Sequence, residues 1–169
     1  MSNLEDKIVQ NMGENPAIFG KLLLNNSIEI QSSVFSSDKT EIICISHENL
    51  LKTVDFLKHH IETRFDILFS VTASDKFEFF EVIYHLYSSI LKHKVIVKTI
   101  LDKINPEIHS LTGFYQAADW HERETYDLLG IKFLNHPDLR RILLPDDWKG
   151  YPLRKNYIMN DERLIWNRR

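Results

Sequence analysis

The chain has 169 residues but only one cysteine, five glycines and five prolines. With Cys44 alone, no internal disulfide can form and no CxxC pair exists, which excludes an iron–sulfur cluster or zinc ribbon on this chain. Cys44 lies in the apolar run Ile42-Ile43-Cys44-Ile45, where a free thiol acts as a small hydrophobe, and a reducing compartment is expected. The glycines are too scattered for GxGxxG or a phosphate-cradling P-loop, so nucleotide binding by those two routes is out. No run approaches the ~18 apolar residues of a membrane span. The first residues, MSNLEDKIVQNMGENP, are polar and acidic where a signal peptide would be basic and then apolar. The chain itself is therefore expected neither to enter nor to cross a bilayer. A net charge of -3 gives no general affinity for nucleic acid, so any basic surface must be local.

What is present suits one soluble globular domain: 43% hydrophobic and 27% charged residues in a length that buries a sizeable core. Asn15-Pro16 reads as a cap and first-turn proline opening a helix to about Leu24. Residues 27–36 and 41–46 read as a hairpin about Ser37-Asp38-Lys39. Ser46 then caps a helix with Leu50, Val54, Leu57 and Ile61 on one stripe. Three strands follow. The first, 64–72, alternates at Phe65, Ile67, Phe69 and Val71; the second, 79–87, alternates at Phe80, Val82, Tyr84 and Leu86; the third covers 94–101. Their turns fall at Ser74-Asp75-Lys76 and Lys92-His93. A last helical stretch runs from a Ser110 cap to Leu129, broken near Gly113 and stopped by Gly130. The expected fold is α+β in two layers, with helices on one face of a mixed, mostly antiparallel five-stranded sheet. Residues 1–130 form that domain, ending in the helix that carries Glu122-Arg123-Glu124, and 131–169 form an extended arm and tail.

Candidate chemistry is sparse. His121-Glu122 opens like the HExxH of zinc proteases, but Thr125 stands where the second imidazole would be, which leaves His121 as a half-buried helix residue. Glu122, Glu124 and Asp127 form a carboxylate cluster that could tune acid/base chemistry. Against that, Asp119, Arg123 and Asp127 are spaced i, i+4, i+8, so that Arg123 would sit between two ionised carboxylates on a helix face.

The arm concentrates residue types in excess of what folding needs. From Leu139 to Lys155 there are five basic residues (Arg140, Arg141, Lys149, Arg154, Lys155) against two acidic ones (Asp146, Asp147), interleaved with Trp148 and Tyr151. Arg, Trp and Tyr are enriched at binding hot spots, and Pro137, Pro145 and Pro152 keep the segment extended. The stretch from Glu122 to Tyr157 reads as a contact surface. Its candidate interface residues are Glu122, Arg123, Glu124, Asp127, His136, Arg140, Arg141, Trp148, Tyr151, Arg154 and Lys155.

These residues resemble the 30-kDa subunit family of respiratory complex I, which takes in the C subunit of bacterial enzymes and the J subunit of cyanobacterial and plastid relatives. The family signature is met without a gap by Glu122-Arg123-Glu124, Asp127, Leu128-Leu129, His136, Arg140 and Ile142-Leu143. The downstream element is met by Pro145, Trp148, Gly150, Pro152, Leu153, Arg154 and Lys155, and Tyr84-His85-Leu86 and Ser110-Leu111-Thr112 are similar as well. Asn156 departs from the usual Asp, and His121 from a commoner aromatic or aliphatic residue.

The resemblance implies a non-catalytic scaffold subunit of a proton-translocating NADH:quinone oxidoreductase, with no catalytic residue, cofactor or metal of its own. NADH, FMN, iron–sulfur clusters and quinone would belong to partner subunits. It further implies a hetero-oligomer in which this chain docks on the large quinone-site subunit beside iron–sulfur subunits. Arg140, Arg141 and Arg154 would pair there with partner carboxylates or carbonyls. The chain would be peripheral, on the cytoplasmic side of the bacterial inner membrane, and would meet that membrane only through the complex; no nucleic-acid partner is expected. An alternative is the equivalent subunit of a ferredoxin-dependent complex or membrane-bound hydrogenase. A stand-alone metal hydrolase built on His121, Glu124 and Asp127 is a distant third.

Overall fold

A computed structural model describes residues 17–158. Its elements in chain order are α1 (Ile18–Asn25), β1 (Ser32–Phe35), β2 (Glu41–Ile45), a 3-10 turn (His47–Asn49), α2 (Leu50–His59), β3 (Ile67–Asp75), β4 (Phe79–Tyr87), β5 (Lys94–Asp102), β6 (Glu107–His109), α3 (Ala118–Leu129) and β7 (Lys132–Leu134). The five-stranded sheet has the order β1-β2-β5-β4-β3, with β2–β5 parallel and the other pairs antiparallel. This is the mixed two-layer α+β fold expected from the sequence. The short strands β6 and β7 pair in parallel beside it, which local pattern did not reveal. Ile131 and Phe133 around β7 are buried, so the chain returns to the core after Gly130 before the arm begins.

Alternation explains the central strands. Phe80, Val82, Tyr84 and Leu86 of β4 and Val95, Val97 and Leu101 of β5 point into one core with Ile43 and Ile45 of β2. Leu23 from α1, Leu50, Val54 and Leu57 from α2, and Ala118 and Leu129 from α3 close over that face. Full burial of each large apolar side chain contributes about 1.5–3 kcal/mol.

The departures from expectation have local causes. Ser46 caps the 3-10 turn, its Oγ accepting from Glu48 N, and α2 starts only at Leu50. That helix ends at His59, leaving Ile61 outside it and 68% exposed, while Phe65 turns in to fill the core. In β3 a bulge between Leu68 and Ser70 resets the pleat. Phe69 is thus 73% exposed and Leu68 is buried, reversing the expected face. The β3–β4 turn lies at 76–78, two residues later than expected, with Phe77 at φ 68°. The last helix begins at Ala118, and 112–117 form turns. The cap expected at Asn15-Pro16 lies outside the described residues.

Helix α1 is capped from a distance. Its N-cap residue Ala17 makes no side-chain cap. Instead the buried Glu41 carboxylate accepts Phe19 N at 2.8 Å, Gly20 N at 2.6 Å and Ser33 Oγ at 2.7 Å. An anion on free amides at a helix N-terminus is favourable on both hydrogen-bond and dipole grounds. Gly20 permits the approach, since a Cβ there would lie 2.6 Å from Ser33 Cβ. Glu41→Ala leaves one buried and one part-buried amide without their acceptor and is expected to destabilise the fold by about 3 kcal/mol. A urea midpoint lowered at unchanged m-value would show this, and a shift below about 1 kcal/mol would mean the cap is dispensable.

Candidate partner interface

Helix α3 ends in a carboxylate that organises the arm. Asp127 is fully buried. Its Oδ1 accepts Arg141 Nη1 at 2.6 Å, and its Oδ2 accepts the successive amides of Ile142, Leu143 and Leu144 at 3.0, 2.8 and 2.9 Å. Burial works against ionisation here, but the Leu144 amide, Arg141 and the Leu143 and Ile142 amides outweigh it and hold the carboxyl below its ordinary range. The same arm segment is gripped from its carbonyl side, since Arg123 donates to the carbonyls of Arg140 and Arg141 at 3.3 and 3.2 Å. Arg123 therefore does not form the expected bridge between Asp119 and Asp127; the arm's carbonyls compete for its guanidinium.

The other basic and aromatic residues extend this latch. Arg141 also donates to the carbonyls of Trp148 and Gly150, each at 3.1 Å. Arg154 donates to Leu129 O at 2.6 Å, and its guanidinium lies over the rings of Tyr151 and Phe80 at 4.7 and 5.2 Å. Gly130 caps α3 at φ 74°, and a Cβ on it would lie 2.4 Å from the Tyr151 ring, so glycine here serves both the turn and the aromatic seat. His136 has a buried side chain, accepting Asp138 N through Nδ1 at 3.0 Å, which leaves Nε2 to donate to Asp119 O at 3.2 Å. Trp148 is half-buried in the turn it closes onto Pro145 O. Lys155 N donates to Asp75 Oδ2 at 3.0 Å, and its ammonium lies 4.0 Å from the Phe77 ring centre. Asp75, an anchor eighty residues from the arm, carried no sequence signal.

The interface candidates thus divide by placement. Glu122, Arg123, Asp127, His136, Arg141, Tyr151 and Arg154 have their polar or aromatic groups engaged within the chain. Glu124, Arg140 and Lys155 are exposed, with Arg140 bonded to its near neighbour Asp138 at 2.8 Å. Trp120 (68%), Leu143 and Leu153 are exposed as well, apolar residues not named among the interface candidates. Among the described residues, no group of three or more His, Cys, Asp or Glu is placed to hold a metal ion, and no helix is long and apolar enough to cross a membrane.

Glu122 differs from Asp127 in electrostatics. It is fully buried, with Oε1 accepting Leu111 N at 2.7 Å and no partner on Oε2. Burial pushes its carboxyl up to about 7, with a further push from Asp119, while the Leu111 amide and Ser110 hydroxyl pull the other way. The folded pKa is raised, so the stability this group contributes is complete below its ordinary value near 4.5 and is lost as pH rises towards 7. Glu122→Gln keeps an acceptor for Leu111 N without the charge. Relative to the natural chain, the variant is expected to gain on the order of 3 kcal/mol between pH 5 and pH 8. Urea unfolding of both proteins at the two pH values measures this, and identical pH dependence would show that Glu122 does not titrate in this range.

Comparison with known proteins follows the same residues. The family described as "Respiratory-chain NADH dehydrogenase, 30 Kd subunit" matches residues 43–163. The C subunit of the NADH-quinone oxidoreductase of Roseiflexus castenholzii is 35% identical over 158 residues, covering 90% of this chain and 89% of that protein. The protein of the same name from Citrifermentans bemidjiense is 42% identical over 118 residues, 68% of this chain and 72% of that one. Two solved structures share the fold at low identity. A chain of the membrane-bound sulfane sulfur reductase, an archaeal respiratory membrane complex, gives a TM-score of 0.70 at 23% identity, covering 83% of this chain and 84% of its own. A trypsin-resistant fragment of Nqo5 gives 0.59 at 21%, covering 70% of this chain and 95% of its own. With a family match across most of the chain and a relative aligned over 90% of it, this protein belongs to the respiratory-chain NADH dehydrogenase 30-kDa subunit family.

Proposed function

We propose that this chain is a non-catalytic structural subunit of the peripheral arm of a proton-translocating NADH:quinone oxidoreductase, and that it docks on the large quinone-site subunit. The observation that carries this reading is the arrangement of α3 and the arm. Buried groups of this chain lock the two together, while Trp120 and Glu124 on the helix and Arg140, Leu143, Leu153 and Lys155 on the arm are exposed. Exposed large apolar side chains interspersed with charged ones along two joined segments suit a protein–protein contact. A surface already ordered in the free chain loses little entropy on docking.

In this reading NADH, FMN, iron–sulfur clusters and quinone are held by partner subunits, and this chain meets the cytoplasmic side of the bacterial inner membrane only through them. Of the three arginines expected at the contact, Arg140 alone has its guanidinium directed away from internal latch contacts, and it is the one assigned to the partner.

The test is affinity purification of the tagged full chain from gently solubilised membranes, with mass spectrometry and an assay of NADH-dependent quinone reduction. The natural chain should recover a large quinone-site subunit with iron–sulfur and NADH-binding partners. Arg140→Glu should unfold at an unchanged temperature but lose about 2–5 kcal/mol of docking, seen as loss of those partners. Recovery of the natural chain alone, or full assembly with the variant, would contradict the proposal.

A further inference from the structure

Among the described residues, strand β3 is an outer strand of the sheet, paired only with β4. Its nine residues carry no charge before Asp75 and no proline. Sheet edges are normally blunted by shortness, by Lys or Pro, by a bulge or by a covering element, because free N–H and C=O groups recruit other strands. The opposite edge, β1, is only four residues long. Among the described residues the edge of β3 has the bulge at Phe69 and the close packing of α3 against the strand, and from Ser70 to Asp75 its register with β4 is regular. No backbone group of residues 70–74 bonds to a described residue outside the β3–β4 ladder.

A groove follows this edge, lined by Thr72 and Ala73 of β3, by His121, Glu124 and Leu128 of α3, and by Leu153 of the arm. Its apolar floor and its carboxylate do different work. Leu128 and Leu153 offer seats for alternate side chains of an extended segment. Glu124 is exposed and has no ion-pair partner among the described residues, so it favours a cationic side chain.

We propose that this edge and groove receive an extended strand of another subunit, which adds to β3 as the sixth strand of the sheet and places an apolar residue on Leu128 and Leu153 and a Lys or Arg at Glu124. The inference rests on the docking reading above and specifies its partner's chemistry. Main-chain hydrogen bonds to the free edge supply affinity, and the groove's side chains select the sequence. A second copy of this chain is a poorer occupant. Edge-to-edge pairing of two β3 strands would bring two Glu124 carboxylates to the same seam and set each Phe69 bulge against the other strand.

The experiment uses Thr72→p-benzoylphenylalanine in the full chain, irradiated within gently solubilised native membranes, with cross-linked peptides identified by mass spectrometry. Thr72 is exposed on the edge, so the probe projects without disturbing the core. The expected result is a cross-link to one segment of another subunit that alternates apolar residues and carries a Lys or Arg. Glu124→Lys in the same background should lower that yield about tenfold, the effect of some 1.4 kcal/mol. A cross-link to residues 159–169 of this chain, to a second copy or to a helical segment would overturn the proposal, as would an assembled complex with no cross-link. Each of those outcomes leaves the docking reading standing. A chain recovered with no partner overturns the docking reading and this proposal together.

Discussion

A single buried charge anchors the arm that follows α3. Asp127 sits in the final turn of α3, where the helix dipole disfavours an anion, so nothing in the helix itself explains an acid there. Its justification comes from outside the helix, in Arg141 and three consecutive arm amides that converge on its two oxygens. Three successive N–H groups folded around one oxygen form an anion nest, and a buried carboxylate needs such a set to offset its lost hydration. The dependence is mutual, because those amides would be costly to leave unpaired on a half-buried segment.

The rest of the arm follows from that anchor. Once Ile142 to Leu144 are fixed, Arg141 reaches the carbonyls of Trp148 and Gly150, and Tyr151 settles onto Gly130. Arg154 then places a cation on the carbonyls that end α3, the favourable counterpart of the unfavourable Asp127. The signature residues Glu122, Arg123 and Asp127 thus act first on their own chain. In the proposed docking their contribution is indirect: they order the helix and arm on which Trp120, Arg140, Leu143 and Leu153 are exposed.

How much of this was legible in the sequence depended on range. Period-two alternation placed β4 and β5 because both strands are regular and one face is buried throughout. The same rule failed in β3, where one bulged residue sends Phe69 outward and Leu68 in. Strands β6 and β7 have three residues each and pair across 25 positions, too short for a periodic signal. Composition marked the arm as a contact surface for a partner, yet residue type could not say that Arg141 and Arg154 spend donors inside the chain. Helical spacing likewise named the neighbours of Arg123 without revealing that two arm carbonyls would take it. Glu41, capping a helix from 22 residues away, lay beyond any local pattern.

The central claim is that the arm is folded by its own chain before any partner arrives. Amide hydrogen exchange of the isolated full-length protein at Ile142, Leu143 and Leu144 tests it most directly. Those three amides should be protected to an extent approaching that of the β4–β5 ladder, because opening them exposes a buried carboxylate and its arginine. Exchange at the rate of an unstructured peptide, with protection appearing only when partner subunits are added, would mean that the partner folds the arm and that Asp127 does not.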